Sequence, residues 1–157
     1  MAREIIGASL ILLVAVVGLF IYRSVGRRRK LQEATMPDYE SRDLQEPLFS
    51  CLYVATVFVD RPLERVWAYG LGGRGRAILG LSDEDLVIDR IGERSLTIPL
   101  ASIRGVIRGG ATIDRGVEKS GLVQIDWTLG ATRLLTSIRI TANQEGNYSK
   151  LKEVIGA

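Results

Sequence analysis

The chain has 157 residues, 46% of them hydrophobic, which is enough for one domain and a short appendage. It contains one cysteine and no histidine, which excludes internal disulfides, ordinary zinc sites and catalytic pairs built on histidine. The formal net charge is +3, but six of the 21 Lys and Arg and only one of the 18 Asp and Glu lie in residues 1–30. The remainder is therefore slightly acidic, which argues against nucleic-acid binding.

The first predicted element is a membrane anchor. Residues 5–22, "IIGASLILLVAVVGLFIY", carry no charged side chain. As a helix they would extend roughly 27 Å at about 1.5 Å per residue, close to the hydrocarbon thickness of a bilayer. We predict a transmembrane helix in contact with the lipid bilayer, preceded by a short flank at residues 1–4. A buried core helix is disfavoured because every face is apolar, and a cleavable signal peptide because no small-x-small site follows.

A basic juxtamembrane segment follows at residues 23–30 and predicts contact with anionic lipid headgroups. By the positive-inside rule, it places the N-terminus outside and the C-terminal domain in the cytoplasm. The predicted location is therefore the cell (inner or plasma) membrane, with a single pass. The basic residues of the segment are Arg23, Arg27, Arg28, Arg29 and Lys30.

Residues 31–50, "LQEATMPDYESRDLQEPLFS", are predicted to form an acidic linker. Their acidic residues outnumber the single Arg42, and Pro37 and Pro47 disfavour a long helix. A short helix around 38–46 remains an alternative. The linker is expected to tether the domain near the membrane.

An all-β domain is predicted over residues 51–157, because the apolar pattern changes to a period of two. About seven strands are expected, with a Gly-rich loop over roughly 110–120 and a two-residue hairpin turn at Gly130-Ala131. The runs with strand character are 52–59, 66–70, 76–81, 86–91, 94–100, 102–109, 122–129 and 132–140.

The last segment has helical rather than strand periodicity, because apolar residues recur at helical spacing from Tyr148 to Ile155. Asn147 is the predicted N-cap, and Gly156 lies just past the end. An amphipathic helix of this kind would cover the open end of a small, bent β-barrel.

The order of seven strands and one helix resembles the pleckstrin-homology-like (PH-like) fold, in which two near-orthogonal antiparallel sheets are closed at one corner by a C-terminal helix. The stretches "YVATVFVDRPLERVWAYGLGGRGRAILGLSDEDLVIDR" and "GLVQIDWTLG" resemble a family of small membrane-anchored PH-like proteins of actinobacteria. The resemblance implies a fold and a membrane placement. It implies no chemistry, since the molecular function of that family is unassigned.

The glycines of "YGLGGRGRAILG", residues 69–80, fit the spacing G-x-G-x-x-G. A dinucleotide site needs a helix after such a loop, whereas the following residues predict a strand, so a tight turn is the expected structure. A loop with exposed backbone N–H groups can also bind anions. The arginines that could contact anionic lipid or a phosphate-bearing ligand there, or simply remain solvated, are Arg61, Arg65, Arg74 and Arg76.

Other chemical motifs are weak. Ser149 and Lys152 match S-x-x-K, but they lie in the terminal helix without companion motifs. The acidic run 83–85 predicts a solvated turn rather than a calcium loop. Cys51 and the two tryptophans are expected to pack in the core or at its rim.

The sequence therefore predicts a non-enzymatic, membrane-anchored interaction domain that binds an unknown protein partner, with no metal, no cofactor and no nucleic acid. Strand addition at a sheet edge is the expected binding mode, with 66–70 and 102–109 as candidate edges. One alternative is a sensor of anionic lipid or a phosphometabolite that uses Arg74 and Arg76. A second alternative is an accessory subunit of a membrane transport complex.

Overall fold

The computed structural model describes residues 2–109 and 122–156, which form seven strands and two long helices. The helices are α1 (Ala2–Thr35) and α2 (Gln144–Ile155). The strands are β1 (Glu46–Phe58), β2 (Gly75–Ser82), β3 (Asp85–Arg90), β4 (Leu96–Pro99), β5 (Ile103–Arg108), β6 (Leu122–Leu129) and β7 (Thr132–Ile140). All pair antiparallel in one sheet of order β4-β3-β2-β1-β7-β6-β5. The predicted fold class, mainly β with a C-terminal helix, is confirmed.

The sheet bends around its central strand β1, which pairs with β2 on one side and β7 on the other. The pairing register shifts between Pro47 and Phe49 and again between Tyr53 and Ala55, and such bulges increase local bend and twist. From Tyr53 to Phe58 every residue of β1 is buried, so both faces of this strand are covered.

One large apolar cluster fills the inside of the bent sheet, with side chains from all seven strands. Helix α2 adds Leu151, which is fully buried, and packs against β1, β5 and β7. Gly156 ends α2 in a left-handed conformation, with φ of 72°, and its N–H bonds back to the last turn. The helix thus closes one end of the core, as its apolar spacing predicts.

Helix α1 is long and apolar enough to cross a membrane, by length and composition. It does not end with the basic segment but continues to Thr35, and β1 already begins at Glu46. The predicted linker 31–50 is therefore mostly built into the domain, and the alternative helix around 38–46 does not form. The physical reason is burial: Met36 and Tyr39 are 5% and 6% exposed and belong to the main core.

Two further expectations differ from the structure. Residues 66–70 are not a strand or a sheet edge but lead into a 3-10 turn, Ala68–Gly70, because Tyr69 adopts φ of 54°, which an extended strand does not allow. Asn147 is not the N-cap of α2; Asn143 is, while Asn147 is buried inside the helix and donates to the carbonyl of Ala142. The predicted Gly-rich loop over roughly 110–120 lies outside the described residues.

Candidate functional site at the junction of α1 and the domain

The end of α1 docks on the loop between β1 and β2, residues 59–74, through one buried glutamine. The side-chain carbonyl of Gln32 accepts hydrogen bonds from the backbone N–H groups of Trp67, at 2.6 Å, and Ala68, at 3.1 Å. Its amide donates to the carbonyl of Arg65 at 3.1 Å. A single helical side chain thus satisfies three backbone groups of the turn, which would otherwise carry a desolvation cost.

A second set of bonds lies beside Gln32. One carboxylate oxygen of Glu33 accepts from the backbone N–H of Tyr69 at 3.1 Å and from the guanidinium of Arg29 at 2.8 Å. The Tyr69 hydroxyl donates to the carbonyl of Met36 at 2.8 Å. The C-terminal end of α1 is therefore held to residues 65–69 of the β1–β2 loop by several hydrogen bonds.

The same turn is held to the core by a chain of buried hydroxyls. The indole N–H of Trp127 donates to Thr136 at 2.9 Å, the Thr136 and Thr56 hydroxyls lie 2.8 Å apart, and the Thr56 and Tyr53 hydroxyls lie 2.7 Å apart. The Tyr53 hydroxyl donates to the carbonyl of Leu71 at 2.8 Å. Because indole is only a donor and the carbonyl only an acceptor, every proton in the chain points towards Leu71.

The glycine loop lies against the carboxylate of the exposed Glu93 and against the ring of Trp67. A Cβ placed on Gly70 or Gly73 would lie 3.0 or 3.5 Å from a carboxylate oxygen of Glu93, in the turn between β3 and β4. A Cβ on Gly72 would lie 2.3 Å from the indole ring of Trp67. The glycines therefore permit close internal packing, and β2 rather than a helix follows them, in agreement with the predicted turn.

The predicted arginines divide into two groups. Arg61 and Arg65 lie where α1 docks: Arg61 pairs with Glu64 at 2.8 Å, and a guanidinium N–H of Arg65 donates to the carbonyl of Gly72 at 3.5 Å. Arg74 and Arg76 are exposed at the start of β2. All four thus belong to the β1–β2 loop or its immediate continuation, and of the four Arg61 lines grooves between described residues.

An open groove of about 530 Å³ lies between α1 and the tip of this loop. On the helix side it is lined by Arg28, one turn before Gln32. The loop side is lined by the run 61–64, in which Leu63 is 84% exposed. Of the predicted basic cluster, Arg28 is thus adjacent to the domain, and Arg29 is held by Glu33.

Two residues of the junction were missed by the sequence prediction. Gln32 carries no local signal, since its partners lie more than thirty positions away in the chain. Arg90 is 3% exposed and donates to the carbonyl of Gly70 at 2.8 Å, with its guanidinium 4.9 Å from the ring centre of Tyr53. A period-two pattern could have found Arg90, because it lies on the same face of β3 as the buried Leu86.

A second feature of the surface is strand β5, which is an edge strand of the sheet formed by the described residues, in agreement with the prediction for 102–109. Its Ile107 is 55% exposed. Helix α2 lies beside it: the Tyr148 hydroxyl is 3.5 Å from the carbonyl of Val106, and Arg108 stacks on the Tyr148 ring and pairs with Glu145. These contacts border the C-terminal half of the strand.

No curated protein matches this chain. The sequence model of the family described as bacterial PH domain-like matches residues 32–155. This match begins at the glutamine that docks α1 and ends at the last residue of α2, so it covers the sheet, both sides of the junction and the closing helix. The chain therefore belongs to the bacterial PH domain-like family.

Proposed function

We propose that this protein is a non-enzymatic interaction domain, held by α1 at the cytoplasmic face of a bacterial cell membrane, that binds a protein partner through the edge of β5. Domains of the PH-like kind are generally non-enzymatic, which supports the first part of the proposal. The predicted actinobacterial origin belongs to the same proposal, and it rests on the resemblance of the sequence alone.

The membrane placement rests on α1. Its apolar stretch has the length that a bilayer requires, and the basic residues 23–30 follow it directly. The positive-inside rule then places the domain in the cytoplasm, with its basic flank against anionic headgroups.

The binding mode rests on a difference between the two edges of the sheet. The edge of β4 is bordered by the segment between α1 and β1. There the Ser41 hydroxyl donates to the carbonyl of Ser95, and the N–H of Arg42 donates to the hydroxyl of Thr97. Strand β4 also ends in a proline, Pro99. Among the described residues, β5 is bordered at its C-terminal half, by Glu145 and Tyr148 of α2. An edge with accessible N–H and C=O groups can accept a further strand from another protein.

A proline substitution tests this edge directly. Gly109 donates its N–H to β6, and the pairing register is continuous from Gly105 to Arg108, so by alternation the N–H of Val106 faces away from β6, as does its carbonyl. Val106→Pro therefore removes an outward donor without breaking the β5–β6 ladder, whereas Val106→Ala loses similar packing but keeps that donor. The measurement is photo-crosslinking of the full chain in native membranes, with the reactive residue at 107 and a control at 99 on β4.

We expect a discrete protein adduct from position 107 but not from position 99. The adduct should be lost in Val106→Pro and retained in Val106→Ala, without strong dependence on salt. Equal adducts in the two variants, or adducts to lipid alone, would contradict strand addition at β5.

The second candidate function is contact of Arg74 and Arg76 with anionic lipid or a phosphate-bearing metabolite. It is favoured by one observation: both side chains are exposed at the start of β2, next to the loop on which α1 docks. Such binding would be screened by salt. A lipid adduct at position 76 that weakens at high salt and in Arg74→Ala would support it, and an adduct insensitive to both would exclude a charge-driven contact.

A further inference from the structure

The tip of the β1–β2 loop presents an aliphatic side chain beside α1. Leu63 follows Pro62 and is 84% exposed, the highest value among the large hydrophobic residues that the structure describes. A single exposed leucine is common on protein surfaces and has no meaning by itself. Leu63 is informative because it lies beside α1, close to the predicted membrane-spanning stretch.

The hydrogen bonds of Gln32 fix the position of this tip along the axis of α1. Gln32 holds the loop at 65–68, and the tip reaches back along α1 to the level of Arg28, with which it lines the groove. Arg28 lies six residues beyond Tyr22, the last residue of the charge-free stretch. At about 1.5 Å per residue this is roughly 9 Å, comparable with the roughly 5–8 Å depth of one headgroup layer.

The charge at the tip is balanced within the loop itself. The guanidinium of Arg61 pairs with Asp60 at 3.3 Å and with Glu64 at 2.8 Å, and it lies 4.6 Å from the ring centre of Phe58. The tip, residues 60–64, therefore has no net positive charge with which to attract an anionic headgroup. The feature that it offers to a membrane is the aliphatic pair Pro62-Leu63.

We propose that Leu63 inserts into the headgroup region of the bilayer that α1 crosses, and that this contact is driven by its apolar surface rather than by charge. The inference rests on the proposed membrane placement of α1. It differs from the second candidate function above in its residues, which lie at the opposite end of the β1–β2 loop from Arg74, and in its independence of anionic lipid.

Environment-sensitive labels on the full chain in nanodiscs test this contact. Single variants Leu63→Cys, Glu84→Cys and Val16→Cys are labelled with NBD, in discs of phosphatidylcholine alone and in discs with added phosphatidylglycerol. Quenching is measured with spin labels placed on the lipid headgroup or in the acyl chain. Position 84 is the matched control, because it is exposed in the turn between β2 and β3, at the other end of the sheet. Position 16 reports on α1 itself.

We expect a blue-shifted emission and strong quenching by headgroup labels at position 63 in both lipid mixtures, and neither at position 84. Quenching at 16 by acyl-chain labels with none at 63 would overturn this inference alone. Absence of quenching at position 16 by acyl-chain labels would overturn the proposed membrane anchor as well. Quenching at 63 only with phosphatidylglycerol would show that the basic segment, and not Leu63, makes the contact.

Discussion

Replacement of Thr136 by valine should destabilise the protein markedly, although the side-chain volume is nearly unchanged. The Thr136 hydroxyl accepts from the indole N–H of Trp127 and donates to the hydroxyl of Thr56, and all three residues are fully buried. Valine leaves the indole donor without an acceptor and Thr56 without one of its donors. The orphaned indole donor costs about 1–3 kcal/mol and the lost hydrogen bond to Thr56 about 1 kcal/mol, so we expect a loss of about 2–4 kcal/mol in the free energy of unfolding.

The assay is urea unfolding of the full chain in detergent, followed by tryptophan fluorescence, since Trp127 lies in the core. Thr136→Ser is the control, because it keeps the hydroxyl and loses one methyl group, worth about 1 kcal/mol. The variants Thr56→Val and Thr136→Val should not be additive, since the bond between the two hydroxyls is lost only once. A Thr136→Val variant no less stable than Thr136→Ser, or strict additivity of the two valine variants, would refute the continuous chain.

Three other predictions concern the junction with α1 and the core. Gly72→Ala should lower the melting temperature by several degrees, because its Cβ would lie 2.3 Å from an indole ring, whereas Gly75→Ala, with nothing within 4 Å, should change it little; equal shifts would contradict the packing. Gln32→Leu should raise hydrogen exchange at residues 65–71, because it removes the partners of three backbone groups, while the exposed Gln45→Leu should not. Cys51 should resist alkylation at pH 8 until the protein unfolds, because burial raises the pKa of its thiol to about 12; rapid alkylation of the native protein would contradict this.

The strands were predictable where burial follows a simple alternation. In β6 the residues Val123, Ile125 and Trp127 are buried and the intervening side chains are half-buried, as a sheet with one core face requires. The hairpin turn was predictable as well, since Gly130 has φ of 58°, a conformation that glycine adopts without strain.

The junction was not predictable, for two physical reasons. Short apolar runs such as 66–70 are compatible with a strand or a turn, and here the left-handed Tyr69 decides for the turn. The sequence predicted a linker from residue 31, whereas α1 continues to Thr35. Composition alone does not reveal which polar side chains will find backbone partners elsewhere in the chain. Gln32 and Glu33 extend the helix into the domain through such long-range bonds.

The candidate arginines show a related limit of sequence reasoning. Their positive charge predicts an affinity for anions, but the structure gives Arg61 two carboxylates of its own loop. Glu93 likewise occupies the space next to the glycines. A charged residue is therefore informative about a ligand only when its neighbours leave the charge unbalanced.

The docked end of α1 changes what a membrane anchor would do for this domain. A flexible linker would let the edge of β5 sample many orientations, which raises its local concentration at the membrane but selects no geometry. Here Gln32 and the hydroxyl chain hold the same turn from opposite sides, one from the helix and one from the core. If α1 crosses the membrane as proposed, β5 keeps one fixed angle to the bilayer. A partner strand then has to approach β5 at that angle. A partner that is itself anchored in the membrane is already oriented, so binding would cost less rotational entropy than for a partner free in solution.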